Sequence, residues 1–249
     1  MSQATTNVNL AGKAPLYNVS LCLATLEKAK NKPRHLPGIT VFYGPSGFGK
    51  STAAAVAVTQ AQAYHVQLQS SWTRKAVYLG ILKVMGIQPA KTMYDMGDQI
   101  ATQLAASKRP LLLDDAQYLT AKGHEELVKD IYESSLGTIM LIGEENLPAE
   151  LKKSERLHGR VLEFAQAQPP SLADAKALRA AYYSKKVAIA DDLLAQVHQK
   201  AKGSVRRILV NLERIQEYAL MNGLKEIGAD AWGDEELYTG EAPARRLSA

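Results

Sequence analysis

Residues 44 to 51 read Gly44-Pro45-Ser46-Gly47-Phe48-Gly49-Lys50-Ser51, a complete G-x-x-x-x-G-K-S loop set between the apolar run Ile39 to Tyr43 and the helix-forming run Thr52 to Val58. A strand, a glycine loop and a helix in that order commit the chain to an α/β fold with a phosphate cradle at one edge of its sheet. The glycines let the backbone curl until several N–H groups face one anion, and the helix adds its positive end. The pattern implies a nucleoside triphosphate, with ATP and Mg²⁺ as the expected ligands. Gly44, Pro45, Ser46, Gly47, Phe48, Gly49, Lys50, Ser51 and Thr52 line the cradle. Lys50 reaches for the β and γ phosphates. Ser51 puts its hydroxyl on the metal, whose remaining ligands are phosphate oxygens and water.

The rest of the first two thirds repeats the same alternation. Buried strands are expected at Gly38 to Tyr43, Tyr64 to Leu68, Pro110 to Asp114, Thr138 to Ile142 and Val161 to Phe164. Helices at Thr73 to Met85, Asp95 to Ser107 and His124 to Ser134 separate them, so the sheet is mostly parallel and the architecture three-layered. An earlier helix over Tyr17 to Ala29 is expected near the nucleotide. From Pro169-Pro170 onward the strand signal stops. The remainder reads as helices at about Ser171 to Val187, Asp191 to Lys200 and Val205 to Asn222, the first opened by a Ser171/Asp174 capping box. The expected organisation is an extension and helix over 1–36, a P-loop core over 37–168, a helical domain over 169–228 and a tail over 229–249. Residues 1–11 and the chain end are expected to be loose.

Charge is distributed unevenly. The formal net charge is +5, yet no Asp or Glu lies between Glu27 and Asp95, a stretch that holds Lys28, Lys30, Lys32, Arg34, Lys50, Arg74, Lys75, Lys83 and Lys91. Apart from Lys50 these bases suit a polyanion such as duplex DNA, or else form an ordinary solvated face neutralised by carboxylates from other segments. The single cysteine, Cys22, excludes an internal disulfide and reads as a small buried hydrophobe. Together with the lack of an apolar stretch of membrane-spanning length, that makes a reducing cytoplasm the expected setting.

Leu111-Leu112-Leu113-Asp114-Asp115 is an apolar strand that delivers two carboxylates at its carboxyl end, the edge of a parallel sheet where ligands collect. Asp114 is assigned to Mg²⁺, and Asp115 to orienting or deprotonating the attacking water.

With these residues in place the chain resembles the AAA+ ATPases. Lys50 and Ser51 match that family's Walker A motif, Leu111 to Asp114 its Walker B strand, and Gly203-Ser204-Val205-Arg206-Arg207 its sensor 2 motif at the start of a lid helix. The resemblance implies a P-loop AAA+ core with a parallel five-stranded sheet and a small C-terminal all-helical lid. It implies that Arg206 reaches the γ phosphate from the lid, and that Arg160, with Arg156 as rival, completes a neighbouring subunit's site as an arginine finger. Two positions depart from the pattern: Asp115 stands where the family usually has Glu, and Glu144 stands where a neutral sensor is common, with Asn146 as the substitute.

Within the family, the Asp114-Asp115-Ala116-Gln117-Tyr118-Leu119 continuation and the Ser71 to Leu82 segment resemble the transposition ATPases, the group of the phage Mu B protein, TnsC and, more distantly, IstB and the DnaC helicase loaders. That likeness implies ATP-driven assembly into filaments or rings on double-stranded DNA, capture of target DNA, stimulation of a transposase partner, and hydrolysis that disassembles the complex. Thr73, Arg74 and Lys75 are the implied DNA contacts, touching phosphates without reading bases. With no helix-turn-helix, DNA binding is expected from the ATPase core itself. A nucleotide-gated scaffold for a protein partner is the competing reading, and a small-molecule P-loop kinase a third, which the basic lid helix argues against.

Overall fold

The computed structural model describes residues 14–183 and 186–241. The expected looseness of residues 1–11 and the last residues of the tail lie outside that range. Two compact units emerge, one spanning residues 17–168 and the other formed by the described residues before and after it.

In chain order the first unit contains α1 (Tyr17–Lys30), β1 (Ile39–Tyr43), α2 (Lys50–Gln60), β2 (Tyr64–Gln67), α3 (Arg74–Met85), α4 (Met93–Ser107), β3 (Leu111–Asp114) and the short α5 (Gln117–Thr120). It continues through α6 (Glu125–Ser135), β4 (Ile139–Gly143), α7 (Leu147–Lys152), α8 (Glu155–His158) and β5 (Val161–Gln166). The five strands form one sheet in the order β2-β3-β4-β1-β5, and every neighbouring pair is parallel. β1, β3 and β4 are buried because helices cover both faces, which is why their sequences are near-continuous apolar runs; β2 and β5, expected to be buried as well, are edge strands, only partly buried, and carry His65, Gln67, Glu163 and Gln166. The side-chain alternation of period two divides the sheet. Ile39, Val41, Leu111, Leu113, Ile139 and Leu141 join the core built with α3, α4 and α6. Thr40, Phe42, Leu112, Met140 and Ile142 are equally buried but outside that cluster, and Cys22 of α1 places its Sγ 3.7 Å from Met140 Sδ. Burying each Leu or Ile contributes about 1.5–3 kcal/mol.

Local chemistry sets the helix limits. Thr73 caps α3, its hydroxyl oxygen accepting from Ala76 N at 3.3 Å, and Gly86 ends that helix at φ 73°. Thr92 caps α4 in the same way through Asp95 N at 3.1 Å. Helix α1, read from sequence as part of an N-terminal extension, belongs to the sheet-bearing unit.

The second unit contains α9 (Leu172–Tyr182), β6 (Ala188–Ile189), α10 (Asp191–Lys200), α11 (Val205–Met221), β7 (Glu226–Ile227) and α12 (Ala229–Trp232). The Ser171/Asp174 capping box forms in full. One feature escaped the sequence: β6 and β7 pair in parallel, so this mainly helical unit is not free of strands. Two residues per strand are too few to show any periodicity. Helix α9 also stops at Tyr182, short of the expected Val187. In α11, Ile208, Leu212, Ile215 and Ala219 are fully buried as one stripe. The segment after α12 is tied down by Asn211, whose Nδ2 donates to Tyr238 O at 2.9 Å while its Oδ1 accepts from Tyr238 N at 2.7 Å.

Candidate functional site

The loop after β1 curls as its glycines require. Gly47 and Gly49 hold φ 87° and 86°, in the left-handed region that glycine adopts without strain. An added Cβ on Gly44 would lie 3.1 Å from Ala167 Cβ. Helix α2 starts on Gly49 with no side-chain cap and no acid in its first turn. Its positive end is therefore left for an anion, which is the fit a triphosphate needs.

Lys50 Nζ donates to Gly44 O at 2.7 Å and to Pro45 O at 2.8 Å, so the ammonium sits against the loop itself. Burial pulls its pKa below the usual lysine range, while Asp114, Glu144, Asp115 and Glu145 pull the other way. These acids end or follow β3 and β4 as Lys50 follows β1, so all stand at the carboxyl edge of the same parallel sheet. Ser51 is exposed at the first turn of α2, Thr52 half-buried behind it.

Asp114 ends β3 and is only 3% exposed. Its Oδ1 accepts from Asp115 N at 3.0 Å, and its Oδ2 stands 3.5 Å from His65 Nε2 on β2. Asp115 adopts φ 56°, a left-handed turn that Asp tolerates better than most residues, and this swings its carboxylate off the strand direction. Oδ2 accepts from Gln67 Nε2 at 3.0 Å and Oδ1 from Gln117 Nε2 at 3.2 Å. The second acid is thus held by two amides. Gly143, at the end of β4, leaves the room: an added Cβ there would come 3.0 Å from Gln117 Oε1. Among the described residues, no cluster of three or more His, Cys, Asp or Glu could hold a metal ion. Ser51 and Asp114 fit a cation that arrives with phosphate oxygens and needs only one or two protein ligands.

Sequence reasoning missed several of these partners. Gln67 and Gln117 signal nothing without the fold. Neither does Asn18 of α1, which is 5% exposed. It donates to Phe48 O at 2.7 Å and Gln168 O at 2.7 Å and accepts from Gln168 N at 2.9 Å, fixing the phosphate loop against the last residue of this unit. Glu144, Glu145 and Asn146 are all exposed after β4, and Asn146 makes no side-chain cap to α7.

The arginines and lysines read from sequence have mixed surroundings. Arg160 Nη2 is 2.6 Å from Glu133 Oε1, and Arg156 Nη1 is 4.0 Å from Glu126 Oε2. Arg206 is exposed in the first turn of α11, whereas Arg207 packs where a Cβ on Gly240 would meet its Nε at 2.7 Å. Arg74 Nη2 donates to Gly123 O at 3.1 Å, and Lys75 is exposed beside it. Lys28 pairs with Glu163 of β5 at 2.9 Å and Lys30 with Glu27 of its own helix at 3.1 Å, so part of the acid-free stretch is neutralised, once by another segment and once by the flanking acid of α1. No described helix is long and apolar enough to cross a membrane.

Comparison with known proteins agrees with this geometry. Residues 34–151 match the family model described as an AAA domain. No curated protein matches the chain. The ORC2 protein of Aeropyrum pernix in its ADP form is similar in structure, with a TM-score of 0.65 at 13% identity, over 86% of this chain and 65% of that one. Domain III of the replication initiation protein DnaA from Thermotoga maritima gives 0.55 at 18% identity, over 88% and 90%. The Thermotoga maritima Holliday junction branch migration motor RuvB gives 0.57 at 18% identity, over 86% and 66%. The chain thus spans about two thirds of the length of ORC2 and RuvB. Residues 34–151 are thus similar to an AAA domain, and the five-stranded parallel sheet with its phosphate loop and paired acids has the P-loop AAA+ fold.

Proposed function

We propose that the protein is an ATPase that assembles on duplex DNA in an ATP-dependent way, captures target DNA with little sequence preference and activates a transposase, hydrolysis then disassembling the complex. The observation that carries the ATPase reading is the gathering of Lys50, Asp114 and Asp115 at one sheet edge beside an uncapped helix start. In this reading Ser51 and Asp114 hold Mg²⁺, which would supply charge neutralisation on the phosphates. Lys50 exchanges its two loop carbonyls for β and γ phosphate oxygens. Asp115, steadied by Gln67 and Gln117, accepts the proton of the attacking water. Arg206 contributes from the second unit, and Arg160 from a neighbouring copy, so that occupancy by a triphosphate favours assembly.

DNA contact is assigned to Thr73, Arg74 and Lys75. Two cations in the first turn of α3 oppose its helix dipole, a local cost that a phosphate partner would remove. The Aeropyrum pernix ORC1 protein, a 14% identical structure of the same fold, was solved in complex with DNA, which supports a DNA role without fixing the surface. The transposition assignment itself rests on the resemblance of Ser71 to Leu82 and Asp114 to Leu119 alone. A helicase-loader-like scaffold is the second reading, favoured by Asp115, whose carboxylate is one methylene shorter than the glutamate usual in the family.

Phosphate release measured with and without duplex DNA, together with electron microscopy of the protein with ATP and plasmid, tests the proposal. Filaments or rings that need ATP, and turnover stimulated by DNA, are the expected results. Turnover indifferent to DNA would leave the scaffold reading.

A further inference from the structure

At the edge of the sheet opposite the phosphate loop lies a cavity of about 520 Å³ whose lining includes Lys30, Lys32, Arg34, Lys108 and Leu136. It is framed by the end of α1, the turn leading into β1, the C-cap of α4 and the turn between α6 and β4. Because the strands are parallel and β1 is five residues long, about 16 Å of sheet separates this edge from the nucleotide edge, where Arg74 and Lys75 also stand.

No acid lines the cavity. Glu27, one turn back on α1, pairs with Lys30 at 3.1 Å. For Lys32, Arg34 and Lys108 no carboxylate lies within 4.0 Å among the described residues. Helix dipoles account for Lys30, in the last turn of α1, and Lys108, at the C-cap of α4. They do not account for Lys32 and Arg34, which lie beyond α1 in a turn. Lys32 lies across Gly38, where an added Cβ would be 2.5 Å from its Cε. An apolar group completes the rim: Leu136 is 68% exposed and held at φ 49°, a conformation that costs a branched side chain about 1–2 kcal/mol. Unpaired cations around a concavity with one exposed apolar side chain match a ligand that presents repeated phosphates beside apolar sugar faces.

From this geometry we infer that the cavity is a second nucleic-acid contact, taking the sugar-phosphate backbone of DNA through Lys32, Arg34 and Lys108, with Lys30 behind them and Leu136 against a sugar. One domain then holds DNA at both edges of its sheet. The inference rests on the DNA-binding part of the proposed function and extends it to a surface which that reading does not use.

The test is the salt dependence of duplex binding, measured with ATP for the full chain and for the Lys32→Ala/Arg34→Ala/Lys108→Ala variant, with an Arg74→Ala/Lys75→Ala variant in parallel. Each lost phosphate contact lowers the slope of log K against log[salt] by about 0.9, so the triple variant should lose between two and three units of slope and more than tenfold in affinity, with ATP binding unchanged. A slope that survives the triple variant but falls in the Arg74/Lys75 variant overturns the inference and leaves the proposed function standing. A wild-type chain that binds no duplex overturns both. Loss of tripolyphosphate binding with an intact DNA slope means a small-anion site only and overturns the inference too. As an independent readout, a benzophenone on Leu136→Cys should cross-link DNA, Cys22 being fully buried and out of reach of the label. The same label on Tyr94→Cys, at the far end of α4 and about 20 Å from Lys108, should not. Equal cross-linking from both positions counts against the site.

Discussion

Replacing Asp115 by asparagine separates chemistry from architecture at the proposed catalytic acid. The side chains are isosteric, and asparagine tolerates the φ of 56° at this position as well as aspartate does. The amide oxygen keeps one glutamine donor. The new amide NH₂ then faces Gln117, whose Oε1 is buried with no hydrogen-bond partner and can turn to accept. The substitution therefore exchanges bonds to a charged acceptor, worth about 1.5–3 kcal/mol when buried, for neutral ones of about 0.5–1.5. Gln67 is exposed and Asp115 half-buried, so solvent reduces the difference to about 1 kcal/mol, or 2–4 °C in Tm for a chain of this size. Loss of the base is larger: general-base catalysis contributes about 10²–10⁴-fold, or roughly 2.7–5.4 kcal/mol in the barrier. Phosphate release by Asp115→Asn should fall at least a hundredfold while the ATP·Mg²⁺-induced rise in Tm persists. A turnover within threefold of wild type, with folding intact, would refute the role of Asp115 and the account of Gln67 and Gln117 as its supports.

Lys50→Ala should abolish the thermal stabilisation by ATP·Mg²⁺, which at a hundred times Kd is about 2.7 kcal/mol and hence about 5–10 °C for the wild type; a retained shift in a thermal melt argues against the loop as the ligand site. Asn211→Ala removes both bonds to the Tyr238 backbone and should destabilise the second unit by about 1–3 kcal/mol, read from the fluorescence of Trp232; an unchanged transition would mean that the segment after α12 is held by other contacts. Burial, with Asp114 adding to it, pushes the Cys22 thiol from 9.0 up to about 12. The folded form then keeps its proton where the unfolded chain ionises, so stability from this group is full below pH 9 and is lost as pH rises toward 12. Ellman's reagent at pH 8 should leave the native thiol untouched and titrate one equivalent in guanidinium; fast native labelling contradicts the packing of α1 on the sheet.

What could be read from the sequence followed a physical divide. Strands buried on both faces are continuous apolar runs, and a loop that cradles phosphate needs glycines at fixed spacing, so β1, β3 and the Gly44 to Ser51 turn are written in local composition. Partners brought in from distant segments are not. Gln67 and Gln117 meet Asp115 only after β2 and β3 pair in register and Asp115 turns left-handed. Asn18 looks like one polar residue on an apolar helix until Phe48 and Gln168 converge on it. The β6–β7 pair is too short for alternation to register. Charge was legible as a sum but not as a map: Lys28 and Lys30 find carboxylates, whereas Lys32, Arg34 and Lys108 gather at an edge set by where β1 and β3 begin.

The ion pair between Arg160 and Glu133 bears directly on the finger assignment. A free arginine would have been the simpler candidate, and a buried pair would have ruled it out, since separating desolvated partners costs several kcal/mol. This pair is neither: the side chains of Arg160 and Glu133 are 41% and 42% exposed. Pairs so exposed contribute about 0.2–1 kcal/mol. Glu133 also shares its charge with Lys129, whose Nζ lies 3.9 Å from its other oxygen. A neighbour's triphosphate offers Arg160 several charge-assisted bonds of about 1.5–3 kcal/mol each, more than enough to draw it away. Arg156, 4.0 Å from Glu126, is held still more loosely. Neither arginine is locked in place, so the contact with Glu133 orients Arg160 on the surface without opposing its proposed use by another copy.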